Sequence, residues 1–149
     1  FLLNNELTDF SFVPERNGRL IANRVQGGKR PRSSMAPTVV LKGGKPFLIT
    51  GSPGGSRIIS YVARTIFNIL EWGLDPQAAL NSGHIVNRNG VTELEEGTGA
   101  IKLKEGLESL GHKVKIRNLN SGLHSILFAQ DGTLIGAAEP RREGLVMGE

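Results

Sequence analysis

Residues 46–70 read PFLITGSPGGSRIISYVARTIFNIL and carry the clearest pattern of secondary structure in the chain. A short apolar run from Pro46 to Thr50 is followed by the glycine-rich segment Gly51–Ser56. In the next segment, which ends at Gly73, apolar residues recur every three or four positions. This recurrence predicts an amphipathic helix. A strand that leads through a tight loop into such a helix predicts a helix packed against a sheet.

The flanking segments extend this pattern of strands and helices. A glycine turn at Lys42–Lys45 predicts a hairpin that pairs Thr38–Leu41 with Pro46–Thr50. The Asp131-Gly132 pair predicts a second hairpin, which pairs Ser125–Ala129 with Leu134–Ala138. The other predicted elements are a short helix with Asp75 as N-cap and Pro76 at its first position, a strand at Val91–Leu94, a helix at Thr98–Leu110 and a strand at Lys113–Arg117. This order predicts one α+β domain over residues 1–149, with Phe1–Leu3 as the end of a further strand.

Composition argues against several kinds of site. No apolar run is long enough to cross a bilayer, and without cysteine the chain forms neither a disulfide nor a thiolate metal site. The net charge is +4, but the basic residues are scattered and aromatic content is only 5%, which leaves few platforms for stacking bases. His84, His112 and His124 lack metal-ligand spacing. We therefore expect no nucleic acid, metal or cofactor.

The glycine loop is the sharpest candidate site in the sequence. Gly54 and Gly55 can take backbone conformations closed to other residues and can expose their N–H groups, and the helix predicted behind them would add partial positive charge. Such a loop suits a phosphate, a carboxylate or a developing oxyanion. It is not a nucleotide-binding loop of the Walker type, because no Gly-Lys-Ser/Thr follows. A plain strand-to-helix turn fits the same pattern.

Residues 5–36 show little periodicity and carry two further candidate pairs. Glu6 and Asp9 lie three residues apart and suit acid–base work or the binding of an ammonium group, although solvated loop acids fit as well. Ser33 and Ser34 follow a basic stretch and suit a carboxylate, although ordinary turn residues fit as well. Neither serine has a histidine near it in sequence to act as its base.

Three segments resemble one known family when they are taken in order. LLNNELTDF at residues 2–10, KRPRSSMAPT at residues 29–38 and GSPGGSR at residues 51–57 resemble motifs of the γ-glutamyltranspeptidases. Glu139-Pro140-Arg141 stands where that family often has Asp-Pro-Arg. The resemblance covers nearly the whole chain and is strongest in residues 1–60. It identifies the chain as the C-terminal part of the small, catalytic subunit.

The resemblance implies a fold and a set of roles. The fold is the αββα sandwich of N-terminal-nucleophile hydrolases, with a mainly antiparallel sheet. An N-terminal Thr, expected upstream and not in this sequence, attacks the γ-glutamyl amide, so this chain alone is expected to be inactive. Gly54 and Gly55 would form the oxyanion hole, Ser33 and Ser34 would bind the α-carboxylate, and Asp9 and Glu6 would bind the α-ammonium group. Residues 11–36 would form a long loop that includes the substrate lid.

The resemblance also implies partners and alternatives. The partners are the large subunit of the same proenzyme, a γ-glutamyl donor such as glutathione, and an amino-acid or dipeptide acceptor. The location is periplasmic or secreted, and a chain made alone would self-associate. Arg32 and the short Ser11–Gly28 loop depart from the family pattern and put acceptor preference in doubt. Cephalosporin-acylase-like enzymes, poly-γ-glutamate depolymerases and inactive ligand-binding homologues share this framework.

Overall fold

The computed structural model describes residues 4–148, so the expected strand end at Phe1–Leu3 lies outside the described residues. The chain divides into two compact units, residues 1–34 and 35–149. Over the described residues, no helix combines the length and apolar character that crossing a bilayer requires.

The first unit is built from turns and very short elements. A 3-10 helix spans Glu6–Asp9, and β1 (Glu15–Arg16) pairs with antiparallel β2 (Arg19–Leu20). The intervening Asn17 and Gly18 have φ values of 53° and 72°, the conformation of a two-residue hairpin turn. The Asn23 amide donates to Asp9 O at 2.7 Å and accepts from Arg32 N at 2.9 Å. One side chain therefore ties the two ends of this unit together.

The second unit contains an antiparallel four-stranded sheet in the order β3-β4-β8-β9. Its strands are β3 (Thr38–Lys42), β4 (Lys45–Gly51), β8 (His124–Phe128) and β9 (Leu134–Ala138). Helices α1 (Ile58–Leu70) and α2 (Pro76–Asn81) pack against one face of this sheet. The core between the layers buries Leu48, Tyr61, Val62 and Leu80.

A smaller sheet completes the second unit. β5 (Ile85–Asn87) pairs antiparallel with β6 (Thr92–Glu95), which pairs in parallel with β7 (Val114–Arg117). The parallel connection runs through a 3-10 helix, Gly99–Leu103, and then α3, Lys104–Ser109. The segment predicted as a single helix over 98–110 is therefore helical, but it consists of a 3-10 helix followed by a short α-helix. The α+β fold class and both predicted hairpins are confirmed.

The face of the four-stranded sheet opposite α1 is apolar and open. Val39, Ile49 and Ile126 form one cross-strand row on it and are 57%, 38% and 41% exposed. On the helix-covered face, the neighbouring Leu48 and Thr50 are buried. Strand side chains alternate between the two faces, so the row lies on the face opposite Leu48 and Thr50. Its apolar residues are of the types found where another layer covers a sheet.

Candidate active site

The glycine loop joins β4 to α1 in a backbone conformation that only glycine adopts easily. Gly54 has φ 142° and Gly55 has φ 56°, both in the range that L side chains avoid. A Cβ atom on Gly54 would lie 2.7 Å from Tyr61 Cε2, whereas a Cβ on Gly55 would meet no atom within 4 Å. Gly54 is therefore required by both conformation and space, and Gly55 by conformation alone.

The strand side of the loop is held by β8 and the residues that lead into it. Ser52 Oγ accepts from the Gly122 N–H at 3.2 Å and donates to Pro53 O at 2.7 Å. Gly122 permits this approach, because a Cβ there would lie 2.6 Å from Pro53 Cγ. Beside this contact lies a groove of about 400 Å³, lined in part by Pro37, Ile49 and His124. The loop thus borders open space on the apolar side of the sheet.

The predicted ammonium and carboxylate residues lie in the first unit. Glu6 and Asp9 are at the two ends of one 3-10 helix, and both are half-buried. Ser33 Oγ lies 3.4 Å from Glu6 Oε1. Ser33 is therefore next to the 3-10 helix that carries Glu6 and Asp9. Ser34, also half-buried, is the last residue of this unit. Gly54 and Gly55 belong to the second unit.

A buried polar cluster in the second unit has no counterpart among the predicted site residues. Arg141 binds both carboxylate oxygens of Glu95, with 2.8 Å between Nη2 and Oε2, and its Nη1 lies 3.0 Å from Glu139 Oε2. The Ser121 hydroxyl donates to Glu139 Oε2 at 2.5 Å and lies 2.6 Å from His84 Nε2. The Glu-Pro-Arg motif was the only sequence signal for this cluster, and its partners are distant in sequence.

The cluster keeps Glu139 ionised in the interior. Burial raises the pKa of the Glu139 carboxyl, but His84, the Ser121 hydroxyl and the charge of Arg141 outweigh it, so the pKa lies below its usual value. His84 Nε2 is 3.8 Å from the carboxylate and reaches it through Ser121. A buried carboxylate with several donors is stabilised in its charged form.

Glu139→Gln is expected to destabilise the protein more at pH 7 than at pH 3. Because the folded pKa of Glu139 is lowered, its contribution is complete above the ordinary Glu pKa, about 4.3. It is lost as pH falls through the folded pKa. The thermal midpoints of wild type and variant should therefore converge as pH falls from the ordinary Glu pKa through the lower folded pKa. The exposed neighbour Glu143→Gln is the control, and a pH-independent difference for Glu139→Gln would refute this role.

Comparison with known proteins decides the family. The model of the family described as Gamma-glutamyltranspeptidase matches residues 1–149. The chain belongs to the gamma-glutamyltranspeptidase family. It is 42% identical to a glutathione hydrolase proenzyme of Escherichia coli over 94% of this chain and 25% of that protein. It is 39% identical to the glutathione hydrolase proenzyme of Bacillus subtilis over 99% of this chain and 24% of that protein.

The fold agrees with solved members of the gamma-glutamyltranspeptidase family. A mutant of Helicobacter pylori gamma-glutamyltranspeptidase superposes with a TM-score of 0.80 at 32% identity, covering 95% of this chain and 82% of that one. This likeness supports the predicted N-terminal-nucleophile hydrolase fold. The chain spans about a quarter of the length of the curated relatives it matches. The roles of the six candidate site residues stay predictions.

Proposed function

We propose that the protein containing this chain transfers or hydrolyses γ-glutamyl groups, for example from glutathione. The conformation of Gly54 and Gly55 at the strand-to-helix loop carries the proposal. Among the hydrogen bonds within residues 4–148, none uses the N–H of either glycine. Two N–H groups on a fixed loop beside a groove suit an oxygen that gains negative charge. Membership in the family supports this reaction class.

The proposed reaction proceeds through an acyl-enzyme on a Thr upstream of this chain. Its hydroxyl attacks the γ-carbonyl carbon, and its proton passes to the free α-amino group of the same Thr. The tetrahedral oxyanion accepts hydrogen bonds from Gly54 and Gly55. The C–N bond then breaks, and the leaving amine takes the proton. Water releases glutamate from the acyl-enzyme, whereas an amino group of an acceptor forms a new γ-glutamyl amide.

The first unit would recognise the amino-acid end of the donor. A γ-glutamyl group carries an ammonium and a carboxylate on one carbon, so its site needs acids on one side and hydroxyl donors on the other. Glu6 and Asp9 supply the acids, and Ser33 and Ser34 supply the hydroxyls. The contact between Ser33 and Glu6 supports this arrangement, because it places one residue of each kind side by side.

Asp9→Ala in the whole gene product tests the ammonium site. A hydrogen bond to a charged group contributes about 1.5–3 kcal/mol, so KM for the donor should rise by tens of fold with a smaller change in kcat. Glu105→Ala, which removes an exposed acid on α3, should leave both constants unchanged. Steady-state kinetics on a γ-glutamyl anilide measures this. Unchanged donor binding in Asp9→Ala would refute the assignment.

The proposed function also sets the partners and the location. The relatives are named proenzymes, which supports a large subunit from the same precursor as the partner of this chain. The acceptor is an amino acid or a dipeptide. A periplasmic or secreted location is proposed on the family resemblance alone, and cell fractionation tests it.

This chain made alone is expected to self-associate. The open row of Val39, Ile49 and Ile126 would be buried between copies, because apolar surface removed from water stabilises association. Ile126→Lys places a charge in that row and should lower the association constant. Leu110→Lys is the control, since Leu110 is 77% exposed on a different segment. Sedimentation analysis measures the mass, and a well-folded monomer would contradict the expectation.

A further inference from the structure

The two residues that follow the glycine pair are both held by side chains of the smaller sheet. Glu93 on β6 accepts two hydrogen bonds from Arg57 in a bidentate pair, from Nε to Oε2 at 2.7 Å and from Nη2 to Oε1 at 3.0 Å. Arg88, just after β5, donates from Nη1 to Ser56 Oγ at 2.6 Å. Bidentate pairs fix orientation as well as distance. The side chains of Ser56 and Arg57 are thus attached to Arg88, just after β5, and to Glu93 on β6.

Glu93 is the centre of this attachment. It is 6% exposed, and its Oε1 also lies 3.0 Å from Arg117 Nη1 and 3.7 Å from Arg88 Nη2. The Arg57 guanidinium lowers the pKa of the Glu93 carboxyl against the opposing effect of burial, and Arg117 and Arg88 add to the lowering. One carboxylate therefore holds three guanidinium groups in place, of which Arg57 is the most buried.

The position of Arg57 connects this cluster to the glycine loop. Arg57 ends the 3-10 helix Gly55–Arg57, and its N–H donates to Gly54 O at 3.2 Å. A change in the direction of the Arg57 backbone would therefore move Gly54 and Gly55 with it. The other supports are the Arg88–Ser56 hydrogen bond, Tyr61, which limits the space at Gly54, and the Ser52–Gly122 contact. Of these four supports, only the Glu93–Arg57 pair is ionic.

We propose that Glu93 is a positioning residue that orients the N–H groups of Gly54 and Gly55 through its bidentate pair with Arg57. The inference rests on the proposed function, because it concerns the same oxyanion site. Glu93 touches no substrate atom in this role. Loss of the carboxylate charge would leave Arg57 free to rotate and would loosen the loop, while the residues that bind the donor would stay in place.

The test uses the whole gene product with Glu93→Gln, and Glu96→Gln as the matched control. Glu96 is an exposed acid three residues after Glu93, directly after β6. For Glu93→Gln, kcat should fall by about tenfold to a hundredfold with donor KM within about twofold, since small displacements of catalytic groups carry such costs. Glu93→Asp should recover part of the loss. In the double variant with Arg57→Gln, the combined effect should not exceed that of the larger single change.

Amide hydrogen exchange supplies a readout that does not depend on activity. Exchange in the peptide spanning residues 52–57 should quicken in Glu93→Gln and stay unchanged in Glu96→Gln. Unchanged exchange in both variants would overturn the proposal, as would quicker exchange with unchanged kcat. If the wild type cleaves no γ-glutamyl donor, the proposed function fails, and the exchange data still decide whether Glu93 orients the loop. If Glu93→Gln does not fold, Glu93→Asp gives the same comparison.

Discussion

Gly54→Ala in the whole gene product is expected to lower kcat by about 10²–10³-fold, the usual cost of losing one oxyanion donor. The added methyl group would lie 2.7 Å from Tyr61 Cε2, and the φ of 142° is closed to alanine. The loop must therefore move, and the Gly54 N–H moves with it. Donor KM should change little, because the proposed donor-binding residues lie on other segments.

Gly55→Ala is the matched comparison for this prediction. Its φ of 56° lies in the left-handed region, which costs a non-glycine residue about 1–2 kcal/mol, and the new Cβ meets no atom within 4 Å. The loop can therefore keep its conformation, and the fall in kcat should be clearly smaller than for Gly54→Ala. Single-turnover kinetics on protein whose processing has been checked by gel electrophoresis measures both. Equal, small effects would contradict an oxyanion role for this loop.

Arg141→Met is expected to have the largest effect on stability, about 3–5 kcal/mol, because it leaves buried carboxylates without their counter-charge. The Arg141 guanidinium makes five hydrogen bonds, to Glu95, Glu139 and the carbonyls of Leu80 and Ser82. Its pKa is raised, since the two carboxylates outweigh the opposing effect of burial. Methionine fills a similar volume but satisfies none of these acceptors.

Arg142→Met is the control for Arg141→Met. The Arg142 side chain is exposed, and among the described residues it donates hydrogen bonds only to Asn120. Its loss should therefore cost about 1 kcal/mol or less. Thermal unfolding followed by circular dichroism compares the two variants on the same protein. A similar small shift for both would show that the Glu95–Arg141–Glu139 cluster does not stabilise the fold.

Local signals in the sequence predicted much of the fold. Asp75 accepts a hydrogen bond from Ala78 N as the predicted N-cap of α2, and Asp131-Gly132 turns between β8 and β9 as predicted. These features depend on residues only a few positions apart, so their physics is readable from the sequence. The strand β5 was not predicted, because a strand of three residues is too short to show an alternation of apolar and polar side chains.

Contacts between distant segments could not be predicted in the same way. The parallel pairing of β6 with β7 depends on a crossover through two helical segments, and sequence alone does not give its register. The Glu93–Arg57 pair joins residues 36 positions apart, and the Arg141–Glu95 pair joins residues 46 apart. Charged residues of these types are usually solvated, so only the fold shows that Glu93 and Glu95 are buried and paired.

Cleavage of γ-glutamyl-p-nitroanilide by the whole gene product tests the proposed function most directly. The assay is run with and without a dipeptide acceptor, beside this chain alone. We expect activity in the whole product that the acceptor stimulates, and none in this chain. No activity in a correctly processed whole product would contradict the proposed γ-glutamyl transfer and would favour an acylase, a depolymerase or an inactive ligand-binding homologue.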